Sequence, residues 1–142
     1  MPNSNTPLLR QLPAIIAAVA LALFSACGTS SSPPAITVAF TSGFTPPTAM
    51  TVSQQCGVAA TVTNDSKNQG VNWTAACGSA SCGAFTPTAA SASTEPITYT
   101  SPAAIPTGNT VTLTATSVTD PTKKAVSTPI TIGATSDGCI AP

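Results

Sequence analysis

The fold class that the sequence predicts is all-β, a two-layer sandwich of about seven short strands. Three observations carry this expectation. Apolar residues alternate with Thr, Ser or Ala over short stretches, the period-two pattern of half-buried strands, and no helical period recurs after the first apolar run. Turn chemistry separates the stretches, with 14 Pro and 9 Gly among clusters of Asn, Asp and Ser. Thr, which favours strands, is abundant throughout. Only 6% of the 142 residues are charged and the formal net charge is zero, so the chain has no electrostatic handle for nucleic acid or an anionic membrane surface.

The strands follow in order. Residues 36–40 place Ile36, Val38 and Phe40 on one face. Ser42-Gly43 and Thr45-Pro46-Pro47 break this strand, and Met50-Thr51-Val52 resumes as a short edge segment. Residues 57–63 form the second strand, with Val58, Ala60 and Val62 inward. A polar turn at 64–70 leads to a strand centred on Trp73, the only Trp, with Val71, Trp73 and Ala75 on one side and Asn72 and Thr74 on the other. Residues 84–86 are a short strand, 88–95 a loop, and 97–100 a strand ended by Ser101-Pro102. The clearest alternation runs through Val111, Leu113 and Ala115, with Thr110, Thr112, Thr114 and Thr116 outward. A turn at 120–124 sends the chain back, and Val126, Thr128, Ile130 and Ile132 line the last strand. Pro129 lacks a backbone donor, which suits an edge. Trp73, Val111, Leu113 and Tyr99 are the expected structural core.

Ahead of this domain lies a delivery segment. Residues 12–24 are almost wholly apolar, a run of about 13 that is short of the ~20 needed to span a bilayer but fits a signal-peptide core. Ser25-Ala26-Cys27-Gly28 follows and resembles a bacterial lipobox, although Phe24 stands where that pattern prefers Leu. The resemblance implies a lipoprotein-type signal peptide over 1–26, lipidation of Cys27, and membrane attachment through that lipid. Gly28 is not the Asp of inner-membrane retention, which implies the outer membrane or cell surface. Residues 27–34, rich in Ser and ending in Pro33-Pro34, read as a tether unable to pack a core.

The order of the domain's pieces resembles bacterial immunoglobulin-like (Ig-like) modules of the intimin and invasin type, over 35–133, with 134–142 as a C-terminal tail. The carriers are Val71-Asn72-Trp73, the loop between Cys77 and Cys82-Gly83, Ile97-Thr98-Tyr99-Thr100-Ser101-Pro102, and the 111–117 strand running into Asp120-Pro121-Thr122-Lys123. The resemblance implies an Ig-like β-sandwich. For an exported chain paired thiols are the default. With Cys27 set aside, four of the five cysteines remain, with three possible connectivities. Cys77 and Cys82 are neighbours in sequence. In the Ig-like arrangement, the second half of the first strand runs parallel to the last strand. Both finish where the second strand begins, which brings Cys56 near Cys139. The expected disulfides are therefore Cys77–Cys82 and Cys56–Cys139.

Catalytic chemistry finds little material. There is no His, the carboxylates Asp65, Glu95, Asp120 and Asp137 lie on separate segments, and no nucleophile motif or phosphate-binding loop is present. No enzyme activity, cofactor or metal is expected. Asn64, Asp65, Asn68 and Asp120 offer oxygen ligands for calcium from two turns at one end, but solvated turns favour the same residues. The expected function is a non-catalytic envelope lipoprotein carrying one Ig-like module with a structural or protein-interaction role. The alternative is an adhesin-like or carbohydrate-binding module that recognises a protein or glycan through the 64–70 and 120–124 turns.

Overall fold

The structure, a computed structural model, describes residues 31–141; the signal peptide expected over 1–26 and the lipidation expected at Cys27 lie outside the described residues. Residues 31–34, expected as part of a tether, are exposed and without regular structure. In chain order the strands are β1 (Thr37–Phe40), β2 (Ala49–Thr51), β3 (Gln55–Val58), β4 (Ala60–Thr63) and β5 (Val71–Cys77). There follow β6 (Ala84–Thr86), β7 (Ala90–Ser91), β8 (Ile97–Thr100), β9 (Thr110–Ser117), β10 (Lys124–Val126) and β11 (Ile130–Gly133). Among the described residues there is no helix.

Three sheets result. β1 pairs with β4, and β3, β8 and β6 form a second sheet in that order. The third runs β2, β11, β9, β5, β7, with β10 also beside β9. All pairings are antiparallel except β2 with β11, where Ala49, Met50 and Thr51 stand opposite Thr131, Ile132 and Gly133. Each sheet turns one face to a shared core. Met50, Val71, Trp73, Val111, Leu113, Ala115, Ile130 and Ile132 come from the third sheet, Cys56, Val58, Ile97 and Tyr99 from the second, and Ala60 and Val62 from the first. This all-β arrangement of several sheets is consistent with a β-sandwich.

Where alternation is strict, burial follows it. Along β9, Val111, Leu113 and Ala115 are fully buried, while the Thr residues between them are partly exposed. Along β5, Val71 and Trp73 are buried, and Asn72 and Thr74 are exposed. The Trp73 ring stacks on Phe40 at 6.1 Å and tilts against Phe85 at 5.9 Å, and Phe85 meets Tyr99 at 5.2 Å. These aromatic contacts join strands from all three sheets.

Four expectations change. The strand expected over 57–63 divides at Ala59: Val58, Ala60 and Val62 are all buried, but β3 pairs with β8 and β4 with β1. The cause is the first strand, which leaves β4 after Phe40 and rejoins the molecule as β2 on β11. The outward edge of β3 is left without a strand, and loop groups satisfy it: Gly57 N donates to Ile140 O (2.8 Å) and Ala59 N to Phe44 O (3.0 Å). The 88–95 loop contains β7, and it also serves buried polar groups. Ser91 Oγ accepts from Trp73 Nε1 at 3.1 Å, and Ser93 Oγ accepts from Val62 N at 2.9 Å. The segment from 134 onwards, expected as a tail, is bonded to β2 and β3.

The last strand is broken. Lys124, Ala125 and Val126 oppose Thr116, Ala115 and Thr114, and Ser127 N donates to Leu113 O. Ile130 opposes Val111, so Thr128 and Pro129 together face Thr112, a one-residue bulge. A one-residue slip exchanges the two faces of a strand. Val126 and Thr128 are therefore exposed, against expectation, while Ile130 and Ile132 are buried. Pro129 falls between β10, which pairs with β9 alone, and β11, which lies between β2 and β9. The bulge itself accommodates the missing donor.

Two predictions follow from this packing. Trp73→Ala removes the ring on which Phe40 and Phe85 rest and is expected to cost ~3–5 kcal/mol, measured by denaturant unfolding. Ile130→Ala is expected to cost ~2–5 kcal/mol and Val126→Ala within about 0.5 kcal/mol. Equal costs for that pair would mean that the bulge does not exchange the faces.

Candidate functional site

The 64–70 and 118–123 turns meet at one end of the domain, where Val118 N donates to Gly70 O at 3.1 Å. Asn64 and Asn68 adopt positive φ (60° and 49°), which Asn tolerates better than most residues. Gly70 has φ +73° and a Cβ there would collide with Ser91 O, so only glycine fits. The carboxylate of Asp65 accepts from Lys67 N (3.0 Å), Gln69 N (2.9 Å) and the Thr119 hydroxyl (2.7 Å). That of Asp120 accepts from the Thr122 hydroxyl (2.7 Å) and Thr122 N (3.1 Å). The Thr119 and Thr122 hydroxyls, with backbone N–H groups, hold both carboxyls below the usual carboxylate value.

The four residues singled out for calcium thus lie on turns at one end, but the side chains of Asn64, Asp65 and Asp120 already hydrogen-bond within the protein. Asn64 Nδ2 donates to Ala35 O (2.9 Å), and both Asp side chains face donors of their own segments. Among the described residues, no group of three or more Cys, Asp, Glu or His is gathered to hold a metal ion. A cation at Asp65 or Asp120 would have to displace N–H and O–H donors that already complement the negative charge.

Both expected disulfides are present. Cys77 and Cys82 link the end of β5 to the approach to β6, with Cα atoms 5.5 Å apart. The Tyr99 hydroxyl donates to Cys82 O at 2.6 Å, and burial pushes its phenol well above the ordinary tyrosine value. Gly83 is required here, because at φ +93° a Cβ would strike the Tyr99 hydroxyl and Thr100 O. Cys56, fully buried on β3, is joined to Cys139, with Cα atoms 5.3 Å apart. In the loop-entropy account the long closure contributes about 4.5 kcal/mol and the short one about 2 kcal/mol.

The element that sequence reasoning missed is the clasp around Cys139. Asp137 Oδ1 accepts from Thr48 N (3.1 Å) and Ala49 N (2.8 Å), and Oδ2 from the Thr48 hydroxyl. Asp137 N returns a bond to Ala49 O (3.2 Å), an antiparallel bridge on the edge of β2. The Thr48 hydroxyl and these N–H groups hold the Asp137 carboxyl below its usual value. The signal was present in Asp137 standing two residues before a cysteine already expected to reach Cys56.

Charge is unevenly distributed. Asp65, Lys67, Asp120, Lys123 and Lys124 belong to the turn end, where Ala35 also enters the domain beside Asn64. The loops at the opposite end, 52–54, 78–83, 101–109 and 133–136, hold no charged residue, and Val52 (40%) and Ile105 (55%) are exposed there.

The lowered carboxyl groups set the acid limit. Their folded values lie below the usual 3.8, so their contribution to stability is complete above that value and is lost as pH falls through the lowered ones. The melting temperature is expected to drop as pH falls below about 4, and less steeply in Asp137→Asn. An identical acid profile in that variant would remove the clasp from the account. Comparison of the chain with protein-family models, curated proteins and solved structures finds no match, so its function is read from the residues and geometry alone.

Proposed function

We propose that the protein is a non-catalytic lipoprotein of a bacterial cell envelope, a single Ig-like module held on a short lipid-anchored tether, with a structural or protein-interaction role. One observation carries this reading: the order of an apolar run over 12–24, Ser25-Ala26-Cys27, an uncharged Ser/Pro stretch, and a disulfide-closed β domain. Each part serves export, since disulfides form and persist outside the reducing cytosol. The strand pairing supports the Ig-like part. A parallel β2–β11 pair continues into antiparallel β9 and β5 in one sheet, while β3, β8 and β6 form another, as the two sheets of Ig domains divide their strands.

The entry point of the chain supports an anchored module over ligand capture by the 64–70 and 120–124 turns. Ala35 enters the domain beside Asn64, where Asn64 Nδ2 donates to Ala35 O, so part of the 64–70 turn is occupied by the incoming chain. The carboxylates of both turns already serve their own segments. The charge-free loops face the other way. Gly28 after Cys27 supports the outer membrane or cell surface as destination.

Intact mass of the protein extracted from cell membranes tests this reading. The expected species begins at Cys27, carries a diacylglyceryl-type adduct, and gains four hydrogens on reduction as two disulfides open. Cys27→Ala is expected to leave the membrane fraction without that adduct. A wild-type chain found unmodified and soluble would remove the anchor and with it the proposed location.

A further inference from the structure

We propose that the outward edge of β3 is a strand-acceptor site, filled in the single chain by its own C-terminal segment and, in a dimer, by the same segment of a second copy. Two copies would exchange residues 134–141 and close Cys56 of each on Cys139 of the other. The site exists because the first strand changes sheets. After β1 leaves β4, β3 retains only β8 as a strand neighbour, and its Gly57 N–H points outward to Ile140 O at 2.8 Å. An unpaired strand edge of this kind is a template for another chain unless it is covered. Here the cover is the segment 137–140.

What holds that segment favours exchange. Its hydrogen bonds and its disulfide go to β2, β3 and the residue before β2. Asp137 takes the Thr48 and Ala49 N–H groups, Cys139 takes Cys56, and Ile140 takes Gly57. The segment of a second copy reproduces each of these. The connection is Ala134, Thr135 and Ser136, all small and exposed. These residues carry the chain across the end of β2, because β11 pairs with one edge of β2 and Asp137 bridges the other. Opening that reversal converts a folded-back segment into an extended arm, the usual route to a swapped dimer. The acceptor edge is at the side of the domain, so copies standing side by side on one surface can exchange arms. The proposal does not depend on lipid at Cys27.

The chemistry balances without an oxidant. The thiolate of a small-molecule thiol attacks Cys139 Sγ, breaks its bond to Cys56 and leaves a Cys56 thiolate with a mixed disulfide at Cys139. That Cys56 thiolate attacks the mixed disulfide on the second copy and expels the small thiol unchanged. Done reciprocally, two intrachain bonds become two interchain bonds with no net electron transfer.

The test mixes equal amounts of light and isotopically heavy full chain in detergent, at high concentration, in a buffer of reduced and oxidised glutathione. Products are separated by size, alkylated and digested without reduction. A dimer whose share rises with concentration is expected, and about half of its Cys56–Cys139 peptides should join a light to a heavy partner. Cys77–Cys82 peptides should remain all light or all heavy. The Gly57 amide should stay as protected from hydrogen exchange in the dimer as in the monomer. The proposal is overturned if Cys56–Cys139 peptides never mix labels, if Cys77 and Cys82 mix equally, which is random scrambling, or if Gly57 loses protection in the dimer.

Discussion

The indole of Trp73 is the contact on which the rest of the core depends. It is 2% exposed on β5, between β9 and β7 of the largest sheet, with Phe40 from one neighbouring sheet and Phe85 from the other against it. Aromatic residues make up only 4% of the chain, and four of the five in the described domain stand in this one line. Most other core positions are Val, Ile or Ala, each of which buries less area. The single polar atom of the ring is met by Ser91 Oγ, on a strand of two residues paired with β5. Among the described residues, no buried side-chain nitrogen or oxygen is left without a partner. In a domain with so small a core, satisfied polar atoms and two covalent closures replace part of the hydrophobic burial.

What was legible in the sequence was set by contrast between neighbouring residues. Where large apolar residues alternate with Thr, as in β5 and β9, strand limits and the inward face could both be read. β7 offers only Ala90 and Ser91, which carry no such contrast, and its place is set by pairing with β5 and by the indole bond. The division at Ala59 was illegible for another reason. Buried residues run without interruption from Cys56 to Ala60 because Phe44 and Ile140, distant in sequence, cover the outward side. At Thr128 and Pro129 a pattern of even spacing concealed one extra residue, and parity then misassigned Val126. For the candidate site, Asn64, Asp65, Asn68 and Asp120 located two turns correctly. Whether a carboxylate faces solvent or its own backbone depends on torsion angles that spacing does not encode.

The outer face of β5 and β9 is covered by hydroxyl groups, with Lys124 of β10 beside Thr116 near the turn end. Thr74 on β5 and Thr114 on β9 stand side by side, as do Asn72 and Thr116, with Thr112 beside Ala76. Charged groups are concentrated in the turns near Ala35, so the two ends of the domain present different surfaces. This polarity arises from turn chemistry, since Asp and Lys occupy loops that need hydrogen-bonding side chains while the strands take Thr.

The position of the longer covalent closure also decides how the domain answers to mechanical pull. The bond between Cys56 and Cys139 encloses β3 through β11 but leaves β1 and β2 outside the ring. Force entering through Ala35 first meets the short β1–β4 and β2–β11 ladders. Once these part, the chain from Ala35 to Cys56 pays out on the order of 70 Å and then stops, because the next link is a sulfur–sulfur bond. The N-terminal portion thus acts as an extensible section of fixed travel in series with a body that cannot be unravelled from that end.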